Sequence, residues 1–273
     1  MCRPQVVKCV VCNSLEVKKL VYMFLTHYAE AKSNEALLTI NTFQKDLSDS
    51  NQVIRSSALR VMTSIRVPII AQLQVMAVKQ CVRDSSPYVR KAAAHATAKV
   101  FALDKEQKEP LIDLIQTLLQ DNSTLVIGSA VAAWQEVCPE RFDLLHPNIR
   151  KFCRLCADTD EWAQIVLLNL FVRYGRHFFL DPNVERFSDK EEDEDGEKKK
   201  KKKKKKAFYS DSDSSSSSDS DSSDDEGEPE DDLDPDHALI LSSSLPLLRS
   251  RNAGVVVAVV TLYHYLAPHS QVI

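Results

Sequence analysis

The 273-residue chain is short of glycine: five occur, at positions 128, 175, 196, 227 and 254. Hairpin turns lean on glycine because it reaches positive φ without a Cβ penalty, so a many-stranded sheet protein is disfavoured. The same shortage leaves no GxGxxG and no GxxxxGK[ST], and nucleotide binding by either phosphate loop is unsupported. No run reaches the ~18 apolar residues of a membrane span. The most apolar stretch, AGVVVAVVTLYHYLA at 253–267, is interrupted by His264. The seven histidines show no HExxH spacing, and no Ser–His–Asp constellation is arguable. Asp158, Asp160 and Glu161 cluster, but at a helix start, where acids face the positive end of the dipole. Catalytic, cofactor-binding and metal-ligating residues are therefore none, and the chain reads as no enzyme.

The cysteines are seven, an odd number, with no secretory leader pattern in MCRPQVVKCVVC. They read as free thiols in a reducing compartment. Cys9/Cys12 and Cys153/Cys156 form two CxxC pairs about 140 residues apart, each inside a helical pattern. Residues at i and i+3 share a helix face, so both pairs are expected in core packing rather than on zinc.

What is present is a repeat. Three stretches open on an aspartate and align at offsets of 35 and 37: Asp49 followed by SNQVIRSSALRVM, Asp84 followed by SSPYVRKAAAHAT, and Asp121 followed by NSTLVIGSAVAAW. A fourth, Asp158 followed by TDEWAQIVLLNLF, comes 37 later. Each copy has a polar start that reads as an N-cap. With the aspartate counted as first, an apolar residue stands at the sixth place (Ile54, Val89, Val126, Ala163) and a small one at the tenth (Ala58, Ala93, Ala130; Leu167 breaks the rule). A spacing of four puts both on one helix face. Between the copies run further helices with a 3–4 apolar rhythm: EALLTINTFQKDL, PIIAQLQVMAVKQCV and KEPLIDLIQTLLQ. A helix–turn–helix unit at this period predicts a solenoid. Pairs are expected at 33–65, 69–101, 105–137 and 140–178, after a leading helix at 14–31. A last pair, DPDHALILSSSLPLLRS and NAGVVVAVVTLYHYLA, follows a charged tract. Both ends read as cuts through a longer structure. The organisation is thus an all-α helical-repeat trunk over 1–187, an insert over 188–236, and a continuation of the trunk over 237–273.

Net charge is −4, but unevenly laid out. The insert holds 20 acidic residues and 10 lysines, a net of −10; the remainder holds 25 basic and 19 acidic, a net of +6. The insert carries the run Lys198–Lys206 and then a tract of Ser, Asp and Glu. It has too few apolar residues to offset an ordering entropy of ~1–2 kcal/mol per residue, and disorder is expected. Ser210, Ser216, Ser218, Ser222 and Ser223 each have an acid three residues on, the pattern read by acid-directed kinases. A lysine run alone suggests a nuclear-import signal or a nucleic-acid arm. Seven acids from Asp189 to Glu197 and 13 after the run screen it, so no nucleic-acid partner is expected. In the repeats, Arg55 and Arg90 hold one equivalent position. With Lys91 beside Arg90, they are expected to form a basic ridge for an acidic partner or a membrane.

The strings LEVKKLVYMFLTHYAE, SALRVMTSIRVPII and SSPYVRKAAAHATAKVFALD resemble the N-terminal trunk of the beta-adaptins. STLVIGSAVAAWQEVCPERFDLLHPNIRKFC, EWAQIVLLNLFVRY and DPDHALIL followed by LLRSRNAGVVVAVVTLY resemble the branch formed by the beta subunits of adaptor protein complex 3, whose trunk also carries a charged insert at this place. The resemblance covers nearly the whole chain outside the insert. It implies a right-handed alpha-solenoid of HEAT/armadillo-like helix pairs, acting as a scaffold in vesicle-mediated protein transport from Golgi and endosomes towards lysosomes. Implied partners are delta-type large, medium and small adaptor chains, a small Arf-type GTPase and an anionic membrane surface. The implied location is cytoplasmic and peripheral on Golgi and endosomal vesicle membranes. No cargo site is carried over, because sorting-signal pockets of the family belong to other subunits. The alternative reading is a nuclear-transport or nucleic-acid-associated solenoid that uses the lysine run.

Overall fold

A computed structural model describes residues 6, 8–12, 14–28, 33–180, 182–183 and 233–268. Among them stand eleven α-helices and no strand. They are α1 (Leu15–Tyr28), α2 (Ser33–Asp46), α3 (Gln52–Ser64), α4 (Ala71–Val82), α5 (Pro87–Leu103), α6 (Lys108–Leu119), α7 (Thr124–Val137), α8 (Ile149–Cys156), α9 (Glu161–Phe178), α10 (Pro235–Ser244) and α11 (Ala253–Leu266). The expected pairs are α2/α3, α4/α5, α6/α7, α8/α9 and α10/α11. The fourth pair opens late. Two 3-10 turns, Phe142–Leu144 and His146–Asn148, precede the short α8, since Pro147 has no N–H to give a continuous helix. The helix after the insert starts at Pro235, capped by Asp234, so the trunk resumes two residues before the expected boundary at 237. The other insert residues, with Lys198–Lys206 and the five serines, lie outside the described residues.

The second helices of the pairs form one layer, α1 on α3 on α5 on α7 on α9 on α11. The first helices form the other, with α4 on α6 and α8 on α10. Counting from each helix start, the third residue (Ile54, Val89, Val126, Ala163) and the seventh (Ala58, Ala93, Ala130, Leu167) are buried, so the repeat alignment marks the contact face between units. The two layers differ in bulk. Helix α5 buries Ala92, Ala93, Ala94 and Ala96, whereas α6 buries Leu111, Ile112, Leu114, Ile115, Leu118 and Leu119. Small residues let neighbouring second helices approach closely while bulky ones hold the first helices apart.

The helix starts fall where the polar residues predict, but the capping differs. Asn51 accepts from the Val53 amide at 2.9 Å, as expected. Ser86, Ser123 and Asp160 have no side-chain cap bond. For the two serines, an aspartate two residues upstream makes the turn: Asp84 accepts from the Ser86 amide at 2.8 Å and Asp121 from the Ser123 amide at 2.9 Å. The cysteine expectation divides. Cys153 and Cys156 are buried in the core, but Cys9 and Cys12 flank a short 3-10 turn and are exposed.

One close approach in the layer is at Gly128 of α7, fifth in its helix. A Cβ there would collide with Ala163 Cβ and stand 2.8 Å from Ala163 Cα on α9. Gly175 of α9 instead faces the Leu266 side-chain tip, whose Cδ1 a Cβ would meet at 2.6 Å. Backbone cannot move aside as a side chain can. Gly128→Ala is expected to cost about 1–3 kcal/mol through overpacking, and Gly175→Ala less. Thermal unfolding followed by circular dichroism checks this, at ~2–4 °C per kcal/mol for a chain of this size. Equal melting of Gly128→Ala and the parent would contradict the close α7–α9 approach.

Candidate partner-binding face

The fourth residue of successive second helices is Lys18 in α1, Arg55 in α3 and Arg90 in α5. Each reaches an aspartate of the following unit. Lys18 Nζ lies 2.7 Å from Asp46 Oδ1, with both side chains buried, and the Tyr22 hydroxyl donates to Asp46 Oδ2 at 2.7 Å. Arg55 grips Asp84 with Nε and Nη2, each at 2.8 Å, while Nη1 donates to the carbonyls of Asp49 and Ser50. Arg90 repeats the pattern one unit on, with Nε at 2.6 Å and Nη2 at 3.2 Å from Asp121 and Nη1 on the carbonyls of Asp84 and Ser85. Burial pushes the Asp84 and Asp121 carboxyls up, but the arginine and backbone amide bonds outweigh it and leave both below the usual carboxylate value. Burial, then Asp46, pushes the Tyr22 hydroxyl well above its usual value.

Arg55 and Arg90 do share one repeat position, as the sequence indicates. Their guanidiniums, however, tie each unit to the next and are mostly shielded, at 13% and 20% side-chain exposure, instead of standing open as a ridge. Lys18 is not visible in the sequence as the first rung because its helix precedes the aligned repeats. In α7 the fourth position is Ile127, fully buried; there Lys151 of α8 donates to the Leu119 and Asp121 carbonyls at 2.8 and 3.1 Å. In α9 it is Gln164, whose amide donates to the Ala157 and Thr159 carbonyls. Each turn thus keeps a donor for its carbonyls after the arginine is lost.

A second set of cations on the same helices is placed differently. Arg60 of α3 and Lys91 and Lys99 of α5 lie on the outer side of the second-helix layer. Among the described residues, none of the three takes part in an ion pair. Lys99 Nζ donates to Ser64 Oγ at 3.1 Å, at the end of α3. Desolvation, with Arg60 and Arg66 close by, pulls the Lys99 ammonium below its usual value. His95, 3.1 Å from Ser129 Oγ, is lowered by burial and then by Lys91, Arg60 and Lys99, against Asp160. Lys91, which the sequence groups with the arginine ridge, therefore belongs with this cluster.

Beside the cluster runs an apolar line. Tyr88, Leu125 and Trp162 occupy the second position of α5, α7 and α9, and all three are exposed, Trp162 at 78%. The Arg60 guanidinium stands over the Tyr88 ring at 5.8 Å, which joins line and cluster. The core thiols offer no comparable site. Burial pushes Cys81, Cys153 and Cys156 up to about 12 and Cys138 to about 11, the reverse of a nucleophile's setting. Among the described residues, no group of three His, Cys, Asp or Glu side chains could hold a metal ion, and no helix is long and apolar enough to cross a membrane.

Comparison with known proteins adds the following. The family model for the adaptin N terminal region matches residues 1–273. The chain is 50% identical over 272 residues to AP-3 complex subunit beta of Dictyostelium discoideum, covering 97% of this chain and 24% of that protein. It is 47% identical over 268 residues to AP-3 complex subunit beta-1 of Homo sapiens, covering 98% and 23%. A structure described as a homology model of the full-length AP-3 complex in an intermediate open conformation aligns with a TM-score of 0.57 at 28% identity, over 96% of this chain and 39% of that one. The chain thus spans about a quarter of the length of these relatives.

The ladder predicts an acid response. A carboxyl held below its unfolded value near 3.9 adds stability that is full above that value and is lost as pH falls through the lower folded value. Arg55→Met removes two charge-assisted bonds to a largely shielded carboxylate and is expected to cost about 2–3 kcal/mol near neutral pH. Its disadvantage against the parent should shrink below about pH 4. Urea midpoints of both proteins across pH 3–7 check this, and a constant gap would show that Asp84 is not the partner that matters.

Proposed function

The chain belongs to the adaptin N-terminal region family, and we propose that it works as trunk of the beta-type large subunit of a heterotetrameric coat adaptor. In this reading it is a non-enzymatic scaffold for vesicle-mediated protein transport from Golgi and endosomes towards lysosomes. It holds delta-type large, medium and small chains on the cytoplasmic side of vesicle membranes, peripherally. The observation that carries the reading is identity of 50% across 97% of the chain to a protein called AP-3 complex subunit beta. The absence of catalysis is supported by where the perturbed groups lie: the raised thiols are core residues and the lowered Asp84 and Asp121 bind neighbouring units. The nuclear-transport or nucleic-acid reading of the lysine run finds no support among these relatives.

Co-expression tests this. With tagged delta-type, medium and small chains, the protein is expected to co-purify, and to do so less with the medium chain of an unrelated adaptor complex. Failure to recover any adaptor chain with a correctly folded protein would overturn the reading.

For the insert we propose charge tuning. Each lysine near an anionic leaflet contributes up to ~1 kcal/mol, and each phosphate brings about −1.5 to −2 charges. Phosphorylation at Ser210, Ser216, Ser218, Ser222 and Ser223 would compete with a membrane for Lys198–Lys206. Replacing the five serines by Glu is expected to weaken binding to phosphatidylserine vesicles several-fold at fixed salt, as is deleting Lys198–Lys206. If neither change alters binding, the insert is a spacer.

A further inference from the structure

We propose that Cys9 and Cys12 are a redox-reversible modification site: a surface dithiol that closes to a disulfide by exchange with a low-molecular-weight disulfide. The site is independent of adaptor assembly and of the charged insert.

Exposure singles the pair out. Among the described cysteines, Cys81, Cys138, Cys153 and Cys156 are buried, whereas Cys9 and Cys12 are exposed and neither is in a disulfide. The thiolate is the reacting form, and burial withholds it. It holds Cys138 up to about 11 and the other three core thiols up to about 12. The core thiols therefore stay protonated and shut away at neutral pH.

Geometry brings the two exposed thiols together. Cys9–Val11 is a 3-10 turn, and the Cys12 amide closes it by donating to the Cys9 carbonyl at 3.1 Å. A 3-10 helix has three residues per turn, so positions i and i+3 eclipse, ~6 Å apart along the axis. A turn closed by an i to i+3 bond keeps its end Cα atoms within about 7 Å, and a disulfide spans roughly 4.4–6.8 Å between Cα atoms. The burial pattern has the matching phase. Val10 is 1% exposed, while Lys8, Cys9, Val11 and Cys12 are open to solvent. Val10 thus turns to the core, and Cys9 and Cys12 share a solvent side.

Val10 also anchors the turn. It joins the core that α1 and α2 build with Val21, Tyr22 and Phe43. The Lys18–Asp46 pair ties the same two helices. Closing the ring needs no rebuilding of the stack, and it fixes the turn in the conformation that seats Val10 beside the first rung of the ladder. A metal fits less well. Structural zinc takes four ligands, and among the described residues no group of three His, Cys, Asp or Glu side chains is available. A disulfide needs the two thiols alone.

In the exchange, the thiolate of one cysteine attacks a sulfur of the small disulfide RSSR. The S–S bond of RSSR breaks, a mixed disulfide forms, and RS⁻ leaves. The thiolate of the other cysteine then attacks the protein sulfur of that mixed disulfide, closes the Cys9–Cys12 bond and expels the second RS⁻. Two protein thiols give up two electrons and two protons, and RSSR takes them as two RSH. Excess thiol reverses both steps.

The test exposes the full chain to glutathione buffers of graded reduced-to-oxidised ratio, caps free thiols with N-ethylmaleimide, and reads tryptic peptides by mass spectrometry. Cleavage after Lys8 and Lys18 puts both cysteines, and no other, on the peptide CVVCNSLEVK. As the ratio falls, this peptide is expected to pass from doubly capped to uncapped with two hydrogens lost, and to return when reduced glutathione is restored. Cys9→Ser and Cys12→Ser should each stop at a glutathione mixed disulfide on the remaining thiol, several-fold more abundant than in the parent, where the second thiol resolves it at an effective concentration of mM or more. The closed parent is expected to melt no lower than the open one. Should a serine variant melt lower, the reversible loss of both caps in the parent decides alone. Four results overturn the proposal. They are a doubly capped peptide at every ratio, a mixed disulfide that persists in the parent as in the variants, a link from this peptide to the one carrying Cys2, and a melt lowered by closure.

Discussion

Each turn inside a helix pair is held by a cation or amide from the helix that follows it or from a neighbouring unit. At Asp84 and Asp121 one carboxylate does two things at once. It accepts the amide that closes its own turn, and it accepts the arginine of the preceding second helix. Turn shape and inter-unit registry are therefore set by the same atom group. The arginine's remaining nitrogen satisfies the carbonyls of its own turn, which would otherwise be shielded without donors. Where the arginine is lost, at Ile127 and Gln164, Lys151 and the Gln164 amide take over the carbonyls but no carboxylate grip remains. The stack is thus tied by shielded ion pairs at its first units; in the later ones the ion pairs, Lys108–Glu140 and Arg150–Asp236, are more exposed, and Leu167, Leu168 and Phe171 are fully buried.

That tie also decides what the outer side of the second-helix layer can show. A side chain at the fourth position points into the seam. One at the second, ninth or thirteenth position, and in α5 the fifth, points out of it. Arg90 and Lys91 are neighbours in sequence yet fall on opposite sides of this division. Charge in a solenoid has to be read by helix position rather than by amount: the mild excess of basic residues outside the insert resolves into a structural ladder and a separate outer cluster.

The helix pairs were legible because they rest on local rules. The offsets of 35 and 37, the polar helix starts and the buried third and seventh residues depend on spacing within one helix, and all reappear in the structure. Solenoid architecture followed from the period alone. The partners of Arg55 and Arg90 lie 29 and 31 residues away, and nothing local announces them. The signal was present as a cation four residues into one helix and an aspartate opening the next unit, but it becomes a contact only once the units are stacked. The serine caps misled for a related reason: Ser86 has the right residue type and place, but its hydroxyl donates to Gln52 of the preceding unit, and at both Ser86 and Ser123 the turn is closed by the upstream aspartate accepting the serine amide. Cys9 and Cys12 resemble a core pair in spacing and are exposed because Val10 takes the buried side of their 3-10 turn.

The contrast between the two sets of cations bears on how such a surface arises. A cation in the seam is fixed by geometry on both sides, since removing it leaves a shielded carboxylate without its counter-charge and the turn carbonyls without that donor, which costs more than the bond itself contributed. A cation on the outer side has no such constraint; replacing Lys91 or Lys99 by a neutral residue would relieve repulsion and cost the fold little. The seam residues are therefore required by the fold's stability. The outer cluster makes only exposed contacts, Lys99 with Ser64 and Arg60 with the Tyr88 ring, and its place in the fold is set far less tightly than that of the seam.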